Sequence, residues 1–189
     1  MRTGALLALA GAVVLGALNT FGDFLWARFV TAHRMVFGIV HGALLFLALG
    51  LFLGLVRGRP GRGALGGTAV GLGAAAAFYV LAPFLGYAAM FPSWMALWIG
   101  FAFLDERMLG AGSGPSALVR GLLAALGSGL AFYAISGIWT RPRPGGPEYA
   151  YHFACWTFAF LPGFLALLSA RPGPEERPRK PGARSGDGL

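Results

Sequence analysis

The sequence predicts an all-α integral membrane protein, a bundle of about six transmembrane helices, and three observations carry that prediction. Of the 189 residues, 57% are apolar or aromatic. A soluble domain reaches about 45–50% only when Gly is counted too, and here Gly adds another 31 residues. Only 12% are charged, against roughly 25% in a soluble protein. The charges are also segregated, standing between long uncharged runs and in the C-terminal tail. A soluble chain of this size has no interior large enough to hide so much apolar surface.

The runs define the elements. The first, near 4–27, follows Arg2 and is long enough to span. No clean small-x-small cleavage site follows it, so it reads as a retained helix and not a signal peptide. The second, near 35–56, has 22 residues without formal charge from Met35 to Val56, where a span needs about 20. Ala64 to Leu104 is 41 uncharged residues. As one helix it would be about 60 Å long, twice the hydrocarbon thickness. Pro83, Gly86 and Pro92 mark the reversal, which gives a third helix near 64–83 and a short fourth near 87–104. The fifth lies near 116–139 and the sixth near 149–170. Residues 171–189 are rich in Pro, Arg and Gly and read as a disordered basic tail.

With six spans, eleven Lys and Arg share the side of the termini and four (Arg28, Arg34, Arg141 and Arg143) lie opposite. The positive-inside rule then makes both termini and the tail cytoplasmic. The net charge of +8 is thus a topology signal. No basic face with interleaved aromatics points to nucleic acid. The dominance of Arg, Ala, Gly and Pro suits a GC-rich genome and a bacterial inner membrane. Cys155 is the one cysteine; it cannot form an internal disulfide and reads as a small packed hydrophobe.

Small residues recur every fourth position, as in Gly4/Ala8/Ala12/Gly16, Gly38/Gly42, Gly50/Gly54, Gly63/Gly67/Gly71 and Gly121/Ala125/Gly129. Such stripes let helix backbones approach closely in lipid. They serve either packing within the chain or a homo-oligomer face.

Polar groups inside spans are costly and tend to mark function. Asn19 and Asp23 share one face of the first helix, and Asp23 pairs either with Arg28 or Arg34 or with a ligand's head group. Arg34 and His41 share a face of the second helix, and His152 opens the sixth. All fall on one side of the membrane, so Asn19, Asp23, Arg34, His41 and His152 are ligand-binding candidates. No two histidines have a local i, i+4 or HExxH spacing, so no metal or cofactor is assigned. Arg120 lies one turn inside the other end, within reach of Asp105 or Glu106. The acidic group Asp105-Glu106 is either a solvated helix end or, at Asp105, a contact for a partner. There is no GxSxG and no paired-carboxylate site, so catalysis is not the leading expectation.

Three stretches resemble the Insig family of six-span membrane proteins. They are Leu18-Asn19 near the end of the first helix, Phe101-Ala-Phe-Leu-Asp105-Glu-Arg107 closing the fourth, and Tyr133 and Gly137 followed by a Pro-containing loop, Trp156 and Gly163. The resemblance covers about residues 10 to 170. It implies a lipid or sterol-like ligand in a laterally open cavity, with a cytoplasmic aspartate at Asp105. Tyr133 and Trp156 thereby join the ligand-binding candidates. The chain lacks the family's long N-terminal extension, which puts the family's partner role in doubt. Pro162-Gly163 is expected to kink the sixth helix and open the cavity. The alternatives are a small transporter or channel, a haem or metal redox subunit using His41 with His152 or His33, and an enzyme using Asp23 and His41 as an acid–base pair.

Overall fold

The computed structural model describes residues 2–29, 34–110, 114–135 and 148–169. These residues form six α-helices: α1 (Arg2–Phe29), α2 (Arg34–Val56), α3 (Pro60–Leu85), α4 (Met90–Leu109), α5 (Gly114–Ile135) and α6 (Tyr149–Leu168). A short 3-10 turn, Gly86–Ala89, joins α3 to α4. Five helices (α1, α2, α3, α5 and α6) are long and apolar enough to cross a membrane. The chain is therefore an all-α polytopic membrane bundle. The exception, α4, carries Asp105, Glu106 and Arg107 in its last turns.

Several boundaries differ from those expected, each for a local reason. α3 begins at Pro60, because the fixed φ of Pro and its missing N–H suit the first helical turn. It also runs through Pro83. The reversal falls instead at Gly86, whose φ of 56° ends the helix. Pro92 lies in the first turn of α4, where no helical carbonyl awaits its N–H. α4 continues to Leu109 and stops at left-handed Gly110, whose N–H bonds the Glu106 carbonyl. α6 is unbroken through Pro162. The expected extension of α5 to residue 139 and the tail at 171–189 lie outside the described residues.

Each helix packs on its neighbours in chain order, and α6 returns onto α1, closing a ring. Glycine contacts set the spacing. A Cβ on Gly50 would come within 2.7 Å of the Gly67 Cα, and one on Gly67 within 2.7 Å of the Gly50 Cα, so α2 and α3 touch backbone to backbone. Gly16 lies against Thr157 of α6, and Gly121 against Ile99 of α4. The four-residue stripes Gly50/Gly54 and Gly63/Gly67/Gly71 are thus occupied within the chain. A homo-oligomer would have to use another face.

α4 also reaches across the ring to α2 and α6. Its fully buried Trp98 meets Phe160 and Phe164 of α6, and its fully buried Phe101 meets Phe46 of α2, in a core cluster that also holds Leu49 and Leu53. Trp98 lies edge-on to Phe164, with centroids 6.4 Å apart, a favoured arrangement for aromatic pairs. Gly163 lies beneath the Trp98 ring, where any Cβ would collide with it. This plug fills the middle of the bundle and separates a proximal end (start of α1, end of α6) from a distal end.

Candidate functional site

The distal end holds the candidate site. α1 places Asn19, Gly22, Asp23 and Trp26 on one face by i, i+3 and i+4 spacing. Facing them, α2 presents His41, whose ring lies over Gly22. A Cβ there would overlap the imidazole. His41 Nε2 is 3.2 Å from Asn19 Oδ1, and Phe37 stacks parallel to the His41 ring at 6.3 Å. Glycine at position 22 is what lets a histidine ring approach α1 closely enough to bond Asn19.

α6 supplies the other partners of α1. Trp156 Nε1 donates to Asp23 Oδ2 at 2.7 Å. His152 Nδ1 is 3.1 Å from the same oxygen. An ionised carboxylate only accepts, so His152 Nδ1 carries a proton in that pairing. His152 and Trp156 are four apart on α6 and approach Asp23 side by side. Both bonds use Oδ2. Among the described residues none hydrogen-bonds Oδ1, although Asp23 is largely enclosed, with a side-chain exposure of 13%.

Asp23 borders a cavity of about 510 Å³. Asn19, Asp23 and His41 form its polar tip, and Trp26, Phe78, Tyr79, Trp94, Trp156 and Phe160 supply aromatic wall. Gly38 makes room for the Tyr79 ring. Trp94 Nε1 is buried with no hydrogen-bond partner among the described residues. A second hollow of about 440 Å³, between α4 and α5, is almost wholly apolar and shares Met90, Trp94 and Trp156 with the first.

The expected site residues distribute as follows. Asn19, Asp23, His41 and Trp156 come together on the cavity. His152 stands behind them on Asp23. Tyr133 does not join: it lines the second hollow and stacks on Phe91 at 4.8 Å. The Arg34 side chain and His33 lie outside the described residues. Pairing of Asp23 with Arg28 is corrected, because Arg28 is exposed and the Asp23 contacts go to α6. The wall residues that sequence reasoning missed are Trp26, Phe78, Tyr79, Trp94 and Phe160. For Tyr79 the one signal is Gly38, which reads as part of a packing stripe.

The proximal end holds a second polar cluster. Asp105 has no exposed surface. Arg57 Nε donates to its Oδ1 at 2.7 Å, and Arg120 Nη1 to its Oδ2 at 3.0 Å. Arg120 also pairs with Glu106, itself buried. Both arginines reach the Leu167 carbonyl at the end of α6, one of the acceptors a helix end leaves free. The expected link from Arg120 to Asp105 and Glu106 is present. The placement of Asp105 as a surface partner contact is corrected, since its carboxylate is enclosed by Arg57 and Arg120. Neither Asp105 nor Glu106 is a solvated helix end.

Among the described residues, no group of three or more His, Cys, Asp or Glu is placed to hold a metal ion. Comparison with protein-family models, with curated proteins and with solved structures returns no match.

Proposed function

We propose that this membrane protein binds a lipid or lipid-like amphiphile in its distal cavity and acts without catalysis, as a sensor or regulator. The observation that supports this reading most is the cavity itself. Its volume of about 510 Å³ is within the roughly 300–1,000 Å³ range of small-molecule sites. Its amide, carboxylate and imidazole groups are gathered at Asn19, Asp23 and His41, and apart from Ser93, whose hydroxyl donates to the Ala89 carbonyl, the rest of the lining is apolar and aromatic. That polarity matches a molecule with one polar head and an apolar body. The adjoining hollow offers further apolar room beyond Met90, Trp94 and Trp156.

A transport path fits less well. Trp98, Phe101, Phe160 and Phe164 fill the centre, and paired charges occupy the proximal end. The Insig-like resemblance agrees with amphiphile binding, the distribution of Lys and Arg supports cytoplasmic termini, and the Arg-, Ala-, Gly- and Pro-rich composition supports a bacterial inner membrane.

Native mass spectrometry of the protein extracted with its surrounding lipid tests the reading. One retained lipid per chain is expected, with retention reduced in His41→Ala at unchanged helix content. A bare protein mass, or equal retention in both proteins, removes the distal cavity as the site.

A further inference from the structure

Given that the distal cavity is an amphiphile site, the arrangement around Asp23 points to the chemistry of the head it takes. We infer that the cavity selects a lipid bearing a primary ammonium head, seated between Asp23 Oδ1 and the aromatic wall.

Three observations converge on this. The first is the lopsided use of the carboxylate. Trp156 and His152 both approach Oδ2, while no described residue bonds Oδ1. A carboxylate on a largely enclosed side chain that borders an apolar cavity calls for a donor on its unbonded oxygen, and an N–H from a charged group makes the strongest bond to it. The second is the sign of the lining. Among the described residues, the cavity is bordered by one acid, Asp23, and by no Lys or Arg. Among those residues an anionic phosphate head would find a carboxylate and no Lys or Arg to pair with, whereas an ammonium would meet its counter-charge. The third is the wall. The Trp26, Tyr79, Trp94 and Trp156 rings border the same space, and aromatic faces attract ammonium groups most strongly where water is excluded.

His41 adds a second acceptor at the tip. With Asn19 Oδ1 accepting from His41 Nε2, neutral His41 leaves Nδ1 as an acceptor. Asp23 and His41 then both offer acceptors to a head with three N–H groups.

The test uses the full chain, stripped of lipid in detergent and titrated in native mass spectrometry with four lipids of identical acyl chains. The probes are phosphatidylethanolamine, phosphatidylcholine, phosphatidylglycerol and diacylglycerol. Phosphatidylethanolamine is expected to bind about tenfold more tightly than each of the others, the effect of one charge-assisted hydrogen bond. In Asp23→Asn, which keeps an acceptor for Trp156 but loses the charge, the preference should vanish, with melting and helix content as the fold control.

The panel on the unaltered protein decides the matter even if that variant does not fold. Equal binding of phosphatidylcholine means that the rings and not an N–H hold the head. Equal binding of diacylglycerol means that a hydroxyl suffices. Either result overturns the inference, as does a preference for phosphatidylglycerol. Equal binding of all four overturns it too, while leaving the amphiphile site intact. Binding of none overturns the amphiphile site as well.

Discussion

At the proximal end, two arginines and two carboxylates face one another, each guanidinium also reaches the Leu167 carbonyl, and Arg120 Nε alone of that cluster's buried side-chain atoms has no partner among the described residues. At the distal end, one carboxylate and two imidazoles meet an amide and an indole, and Asp23 Oδ1 receives no bond from a described residue. Both clusters are largely buried in an apolar bundle. The proximal one is charge-balanced, with each carboxylate matched by an arginine, and joins α2, α4, α5 and the end of α6. The distal one borders a cavity and keeps hydrogen-bonding capacity in reserve. A buried charge matched by its counter-charge holds a fold together, and a carboxylate with an unbonded oxygen beside a void is available to a ligand. The end proposed to bind the ligand is therefore not the more highly charged one.

The largest expected effect tests the first half of that contrast. Asp105→Asn removes the charge between Arg57 and Arg120 and leaves both guanidiniums enclosed with less compensation. Breaking a buried pair in this way costs about 3–5 kcal/mol. A clear fall in melting temperature in detergent is expected, and Asp105→Asn combined with Arg120→Gln should recover part of the loss. If Asp105→Asn melts like the parent, the proximal cluster is not what joins those helices.

Next in size is a change at the close α2–α3 contact. Gly67→Val would place its side chain against the Phe46 carbonyl and the Gly50 backbone, an overpacking that costs roughly 1–3 kcal/mol. Gly129→Val is the control. It lies on the α5 stripe with open space around it and should be nearly silent. Similar losses in the two variants would mean that helix propensity, and not backbone contact, sets the cost.

The contrast between those glycines also shows what the sequence held. The helices were legible because uncharged runs of span length admit one solution in lipid. The link from Arg120 to Asp105 and Glu106 was legible because a charge one turn inside a span must find a partner nearby. Arg57 was not, since an arginine after a span reads equally well as a flank for topology. Asn19, Asp23 and His41 were found because polar groups are rare in spans. That His152 and Trp156 reach Asp23 across 129 and 133 residues depends on α6 closing the ring, and no local pattern records that. The turn near residue 86 was placed among Pro83, Gly86 and Pro92, but the positive φ needed there made Gly86 the pivot. Tyr133 entered through resemblance alone, and the structure gives it to the other hollow.

A smaller effect sharpens the second half of the contrast. Gly22→Ala adds one methyl where the His41 ring lies. The ring sits at the end of a rotatable side chain and can swing away, so stability should change by less than about 1 kcal/mol. The Asn19 bond would be lost with that swing and the polar tip of the cavity rearranged. Retention of the bound amphiphile should fall about tenfold, the effect of losing one hydrogen-bonding partner, while melting stays close to the parent. Lost retention with a matching loss of stability would instead assign the His41–Asn19 pair a structural role.

The smallest effect separates the two hollows. Tyr133 is half exposed on α5 and stacks on Phe91, a contact worth about 0.5–1.5 kcal/mol when aromatic rings are well packed. It borders the apolar hollow and not the cavity at Asp23. Tyr133→Ala should therefore leave head-group preference unchanged and alter total lipid retention by no more than about twofold, since only apolar contact with the tail is lost. Trp156 borders both spaces and also bonds Asp23, so Trp156→Phe should reduce retention more than Tyr133→Ala does. The reverse order would place the ligand between α4 and α5, where the wall has almost no polar atom, and Asp23 would then have to be explained by its bonds to α6 alone.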